Sequence, residues 1–302
     1  MNKDLISGFD LSDADIKKIF ALTSKLKKKK IDDCLKNKTI AFVFQKPSVR
    51  TRVSFEVGAS QLGANCLYLA PHDIELGSRE PLKDVARVFS RYLDGIIART
   101  FSHDHVLELA KYADIPIING LSDLYHPAQA LADIYTIAEY KKSLKGVKLV
   151  YVGDGNNVVN SLIAICAKVG MDFTISTPKG FEPNKLIWDE ALKIAKQSKA
   201  KLVHSYDPKE AVKGADFIYS DVWTSMGQEK QAAKRIKIFK NYQINSSLLK
   251  YVGKKYKIMH CMPIHRGQEM TDEVVESKQS IIFEQAENRM HVQKAVMSLL
   301  IK

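Results

Sequence analysis

Lys46-Pro47-Ser48-Val49-Arg50-Thr51-Arg52 joins an apolar run, Thr39-Ile40-Ala41-Phe42-Val43-Phe44, to the stretch Val53 to Leu62, whose apolar residues recur at helical spacing. The run is short, continuous and uncharged, as a buried parallel strand is. The seven residues are therefore a strand-to-helix turn, where free backbone N–H groups and the positive end of a helix dipole meet. Two hydroxyls and two guanidiniums at that point make a receptor for a phosphate dianion, with forked donors from arginine and single ones from Ser48 and Thr51. The plain alternative is a serine N-cap followed by two solvated arginines. A helix N-terminus disfavours cations, however, so two arginines there call for an anion.

Around this turn the chain alternates. Strands are predicted at 39–44, 66–70, 95–98 and 115–118, with helices at about 52–62, 80–92 and 103–112. One long helix begins near His126-Pro127, with proline in its first turn, and Gly146 ends it. A second set follows: strands at 147–152, 172–176, 201–204, 216–220 and 256–259, and helices at about 157–169, 184–198 and 208–213. Thr224 to Asn245 is charged and irregular, and Glu284 to Ile301 is again helical in spacing. The fold class is α/β: two doubly wound parallel-sheet domains, with a cleft between the C-terminal ends of their strands as the expected active site. A length of 302 residues suits two domains of about 150.

Composition excludes several classes. No stretch reaches the ~20 apolar residues of a membrane span, and Met1-Asn2-Lys3-Asp4 has no apolar signal core. Cys34, Cys66, Cys166 and Cys261 form no CxxC pair, so the expectation is a reduced, cytoplasmic protein without a metal site. The formal charge of +12 comes largely from lysines such as Lys25 and Lys27 to Lys30, at the end of an amphipathic helix capped by Ser12. Cations there complement the dipole, and no aromatic interleaving marks a nucleic-acid face.

Other residues of chemical interest stand at strand ends. Arg99 follows Gly95-Ile96-Ile97-Ala98, at the edge where ligands bind, although a surface arginine is the plain alternative. His126 opens the helix that carries Gln129; it is either a structural cap or, with Arg99 and Thr51, a donor to a carbonyl oxygen that gains charge. Gly153-Asp154-Gly155-Asn156-Asn157 is a weak dinucleotide signal, because Val158 holds the third glycine position; the alternative is a tight turn presenting Asn157. Asp221 ends a strand and can pair with an amino group. His260-Cys261-Met262-Pro263 suggests a thiol nucleophile, yet neighbours along a strand point to opposite faces, which disfavours covalent catalysis.

Taken in order, these motifs resemble those of the aspartate/ornithine carbamoyltransferase family over nearly the whole chain. Ser48-Val49-Arg50-Thr51-Arg52 is similar to its Ser-Thr-Arg-Thr-Arg signature for carbamoyl phosphate. Asp221 with Ser225-Met226-Gly227, and His260-Cys261-Met262-Pro263, resemble the pair that marks the ornithine branch. The resemblance implies a carbamoyl-phosphate domain over 1–140, an ornithine domain over 141–283, and a C-terminal helix, 284–302, packing back on the first, with the long helix bridging them. It implies that Ser48, Val49, Arg50 and Thr51 hold the phosphate, that Arg99, His126 and Thr51 polarise the carbonyl, and that Gln129, Cys261, Met262 and Arg289 orient the carbamoyl end. Asn157, Asp221, Ser225 and Met226 are then ornithine residues, with Cys261 beside the δ-amine. No cofactor is implied, and the expected partners are carbamoyl phosphate, L-ornithine and a homotrimer or assembly of trimers.

Three positions depart from the pattern. Val49 replaces a frequent threonine, Met262 a frequent leucine, and Glu75 a frequent glutamine in a loop expected to reach a neighbouring subunit's phosphate, with Arg79 as its candidate neutraliser. The rival readings are a carbamoyltransferase acting on putrescine or N-acetylornithine, against which Ser225-Met226-Gly227 argues, and a nucleotide- or RNA-binding protein using the basic surface.

Overall fold

The computed structural model describes residues 1–29, 31–224 and 229–302, so Ser225, Met226 and Gly227 lie outside the described residues. The chain divides into two compact units, Met1–Tyr135 with Asn288–Lys302, and Thr136–Glu287. It passes from one to the other inside the helix Pro127–Tyr140 and returns inside the helix Ile282–Leu300.

The first unit holds four parallel strands, β1 (Thr39–Phe44), β2 (Asn65–Leu69), β3 (Gly95–Arg99) and β4 (Ile117–Leu121), in the order β2-β1-β3-β4. The central β1 and β3 are buried almost throughout, which is why both read as unbroken apolar runs, whereas edge strand β2 is half exposed. Register places the chemistry: Phe44 pairs with Arg99, so the turn after β1 and the end of β3 share one edge at the point where strand order reverses. The helix Ile282–Leu300 belongs here through its C-terminal part. Lys294 reaches Gln61 Oε1 at 2.9 Å, and a Cβ on Gly58 would sit 3.2 Å from Lys294 Cγ, so glycine lets the two helices close up.

The second unit holds five parallel strands, β5 (Lys148–Val152), β6 (Asp172–Ser176), β7 (Leu202–Ser205), β8 (Phe217–Ser220) and β9 (Lys257–His260), in the order β7-β6-β5-β8-β9. Here the order reverses between β5 and β8, and Ser220 pairs with His260, so the residues after β5, β8 and β9 leave from one edge. Both sheets are those of the expected α/β class. The stretch Thr224 to Asn245 departs from its expected irregularity: a helix, Ala232–Phe239, lies within it, flanked by 3₁₀ turns at Glu229–Gln231 and Lys240–Tyr242. Only Arg235 and Phe239 of that helix are buried, one turn apart, and two such positions flanked by Lys234 and Lys237 are too few to show a period. No described helix is long and apolar enough to cross a membrane.

The loops after β5 and β6 pack against each other through one glycine. Gly155 N–H donates to the Phe181 carbonyl at 2.9 Å, and a Cβ on Gly155 would lie 2.5 Å from backbone atoms of Glu182 and Pro183. By contrast Gly146 has φ +71° and nothing within 4 Å of such a Cβ. Gly155→Ala is therefore expected to lose about 3 kcal/mol or more through backbone overlap, and Gly146→Ala only about 1 through conformation. Urea unfolding of both variants checks the order; equal losses would show that the two loops do not interlock.

Candidate active site

One candidate cluster lies wholly in the first unit. Ser48 caps the helix Val49–Ser60: its Oγ accepts from Thr51 N at 3.4 Å and donates to Thr51 Oγ1 at 3.0 Å. The N–H groups of Val49 and Arg50, in the first turn, have no carbonyl a turn earlier to meet. Arg99 Nη1 reaches the same Thr51 Oγ1 at 3.4 Å, and Arg289 Nη2 reaches it at 3.2 Å. Three donors thus crowd one hydroxyl oxygen that has two lone pairs. Thr51, Arg99 and Arg289 are all buried, while Arg50 is exposed beside them.

This crowding shifts the local acid–base balance. Burial, then the charges of Arg289 and Arg50, bring the Arg99 guanidinium down to about 10. The same burial and the charges of Arg289 and Arg99 hold the His126 imidazole well below its usual value, so it is neutral. Gln129, one turn along the same helix, gives its amide N–H to Asp133 Oδ1 at 2.8 Å. Its Oε1 is buried with no donor among the described residues.

Another cluster lies wholly in the second unit and is acidic. Asp221, just past β8, accepts through Oδ1 from Val222 N at 2.8 Å and from Cys261 Sγ at 2.9 Å, and through Oδ2 from Asn156 Nδ2 at 2.7 Å. Asn156 is itself fixed, because its Oδ1 caps the helix Asn157–Val169 by accepting from Val158 N and Val159 N. Met262, at φ +63°, precedes a cis Pro263 and donates its N–H to His260 Nδ1 at 2.9 Å. His260 Nε2 faces Glu269 Oε1 at 3.4 Å, both residues fully buried. Asp221, His260 and Cys261 bring ligand atoms within 4.8 Å of one another. Within that trio the Cys261 thiol is turned to Asp221 and His260 Nδ1 to Met262, so the donor atoms already serve the protein.

Several expectations change on this geometry. Arg52 is not part of the anion receptor: it pairs with Glu56 at 2.9 Å and lies over the Tyr68 ring at 3.7 Å. Arg99 and Arg289 are the guanidiniums that reach Thr51 instead. Asn156, which no motif singled out, bonds Asp221; Asn157 starts the helix, half buried, and its carbonyl accepts from Ser161. The dinucleotide alternative fails, because the Gly155 turn is filled by Glu182 and Pro183 and the helix N-terminus is capped by Asn156. Glu75 is exposed at φ +40° between the buried anchors Ile74 and Leu76, and no ion pair joins it to Arg79 among the described residues. Its loop is tied down by Gln45, whose Nε2 donates to the Leu76 carbonyl at 2.9 Å, while Gln45 Oε1 meets Phe101 N and His105 Nδ1. Gln45 carried no motif signal; its place one residue past β1 was the only hint.

Two family models divide the chain much as its sheets do. Residues 3–139 match the carbamoyl-P binding domain of aspartate/ornithine carbamoyltransferase, and residues 145–300 match the Asp/Orn binding domain. An ornithine carbamoyltransferase of Bacillus subtilis is 50% identical over 99% of this chain and 94% of its own length. One from Archaeoglobus fulgidus is 49% identical over 99% and 97%. Among solved structures, ornithine carbamoyltransferase from Pyrococcus furiosus superposes with a TM-score of 0.96 at 48% identity, covering 99% of this chain and 96% of that one. With half of its residues shared along full-length relatives, the chain belongs to the aspartate/ornithine carbamoyltransferase family.

Proposed function

We propose that this protein is an ornithine carbamoyltransferase: it transfers the carbamoyl group of carbamoyl phosphate to the δ-amine of L-ornithine, giving L-citrulline and phosphate. The observation that carries the reading is the convergence of buried Arg99 and Arg289 with Ser48 on Thr51, in a domain of the carbamoyl-phosphate type. Phosphate oxygens take up donors that the single hydroxyl cannot satisfy, and the first-turn N–H groups of Val49 and Arg50 add more, with the Arg50 side chain beside them. Arg99, Thr51 and His126 polarise the carbonyl, while the buried Gln129 Oε1 accepts from the carbamoyl NH₂. Cys261 and Met262 offer backbone carbonyls to the same NH₂. Asp221 and Asn157, with Ser225 and Met226, hold ornithine's amino-acid end.

The reaction then follows. The neutral δ-amine attacks the carbonyl carbon, a C–N bond forms as the C–O bond to phosphorus breaks, and phosphate leaves with that bond's electrons while nitrogen sheds a proton. An amine with an ordinary pKa of about 10.4 makes the rate rise toward alkaline pH. His126, kept neutral by burial and then by the neighbouring guanidiniums, donates to the developing oxyanion without titrating in that range.

Assembly as a homotrimer, or a higher assembly of trimers, is part of the proposal. Val49, Val53 and Val57 form an exposed apolar stripe along one helix, Val49 being 78% exposed, and Leu67 on β2 is also open. Glu75 is the residue proposed to reach a neighbouring subunit's site. Free thiols at all four cysteines support a cytoplasmic location, where the citrulline made serves arginine biosynthesis.

Offering ornithine, putrescine, N-acetylornithine and aspartate separately with carbamoyl phosphate tests the activity. Citrulline from ornithine alone is expected, and Arg99→Met should reduce turnover by about a hundredfold or more, the scale of one lost oxyanion donor. Product from another acceptor, or none from ornithine, would overturn the assignment.

Cys261 gives a second test. Its thiol donates to the Asp221 carboxylate, and a negative charge at that distance opposes loss of the thiol proton. Cys261→Ser is expected to retain measurable turnover with weaker ornithine binding, and carbamoyl phosphate alone to leave no adduct by intact mass. A carbamoylated Cys261 consumed by ornithine would replace direct attack with a covalent route.

The third concerns pH. Because the folded His126 binds its proton only well below about 6.5 while the unfolded chain binds it near that value, stability contributed at this site falls as pH drops through 6.5. His126→Gln should therefore lose less stability than wild type between pH 7 and pH 5.5 in urea titrations. An equal or steeper loss in the variant would mean that the imidazole is charged in the fold.

A further inference from the structure

Beside Asp221 stands a second buried carboxylate that the reaction does not use. Asp154, just past β5, is 7% exposed, and Arg235 of the helix Ala232–Phe239 pairs with it through Nη2. Arg235 Nε donates to the Trp223 carbonyl, two residues beyond Asp221. The guanidinium lies over the rings of Phe181 at 4.8 Å and Phe239 at 5.2 Å, so its plane is held from both. Trp223 stacks on Phe239 at 5.8 Å, closing the box. One buried arginine therefore touches the exits of β5 and β8 at once and clasps together the two ends of the segment from Trp223 to Arg235.

We propose that Arg235 is a positioning residue for the amino-acid half-site: by neutralising Asp154 it leaves Asp221 as the one of these two carboxylates offered to the substrate's ammonium group, and by gripping the Trp223 carbonyl it fixes the backbone that carries Asp221. This deepens the ornithine reading and rests on it. The two acids do sense each other, since burial and the Asp221 charge raise the Asp154 carboxyl, against the pull of Arg235, to about 6. Among the described residues Asp221 has three donors, Val222 N, Asn156 and Cys261, none of which is a full positive charge. It can therefore still attract a cation, whereas Asp154 has its cation built in. Lysine cannot replace Arg235 fully, because the two bonds leave in different directions from one planar fork.

Steady-state kinetics on the full-length protein separate this role from a general structural one. Arg235→Gln leaves Asp154 buried and unpaired, and is expected to raise the ornithine KM by about tenfold or more while the carbamoyl-phosphate KM stays within about twofold. Arg235→Lys should fall between that variant and wild type. Asp154→Asn combined with Arg235→Gln leaves no buried charge unpaired, so it is the variant whose folding is least at risk; its ornithine KM should return to within about threefold of wild type. A single variant that does not fold beside a working double variant supports the same neutralisation. Both KM values rising together, or a folded double variant as impaired for ornithine as Arg235→Gln, overturns the proposal. Wild-type citrulline formation is the separate control: its absence refutes the functional reading, whereas the KM pattern refutes only the role of Arg235.

Discussion

Like charges brought together out of water are the constraint on which the first unit depends. Arg99, Arg289 and the start of the Val49–Ser60 helix all present positive ends to Thr51, and burial, then the neighbouring charges, lowers both Arg99 and His126. Bringing two guanidiniums out of water toward one hydroxyl is costly, so it does not arise from stability alone. What keeps it is the surrounding frame: β1 and β3 are buried along their length and lock Phe44 beside Arg99, while Lys294 and Gly58 seat the helix that delivers Arg289. That frame fixes the donors in place before any ligand arrives, which is the arrangement that lowers the reorganisation cost of binding an anion.

The second unit solves the converse problem. Its carboxylates, Asp154 and Asp221, would repel each other and share a proton if both stood open, and each is handled differently. Asp154 receives a guanidinium and a ring-walled enclosure. Asp221 receives neutral donors, which fix its direction and leave its charge available. The Asn156 side chain does two jobs at once, capping a helix with its oxygen and holding Asp221 with its nitrogen. A substitution at such a residue loosens the helix start and the carboxylate together.

Much of the fold was legible because parallel strands covered on both faces leave continuous apolar runs, and β1, β3, β5 and β8 carry them. The turn after β1 was legible for a similar reason: an apolar run followed by serine and then helical spacing marks a strand-to-helix turn, which Ser48 caps. What sequence could not supply was direction. Arg50 and Arg52 are two residues apart on a helix and face different ways, so only one stays beside the anion receptor while the other turns to Glu56 and Tyr68. Arg289 lies more than two hundred residues from Thr51, and no local pattern marks it; only the family resemblance did. Arg235 hid in a lysine-rich helix whose two buried residues are too few to show a period.

The two units also differ in how they tolerate the absence of substrate, and the difference follows from their charges. Asp154 meets its own counter-ion, and Asp221 is satisfied by hydrogen bonds, so the acidic half is complete as it folds. In the basic half, by contrast, donors outnumber the lone pairs of the one hydroxyl on which they converge. Adding an anion there removes repulsion among Arg50, Arg99 and Arg289 as well as forming new bonds, so its stabilisation exceeds that of the bonds alone. The neutrality of His126 comes first from burial and then from the same two guanidiniums, whose charges also disfavour a proton on the imidazole, so it can act as a donor from one nitrogen rather than as a third positive charge. The burial that strips water from the guanidiniums thus also sets the protonation state of their neighbour.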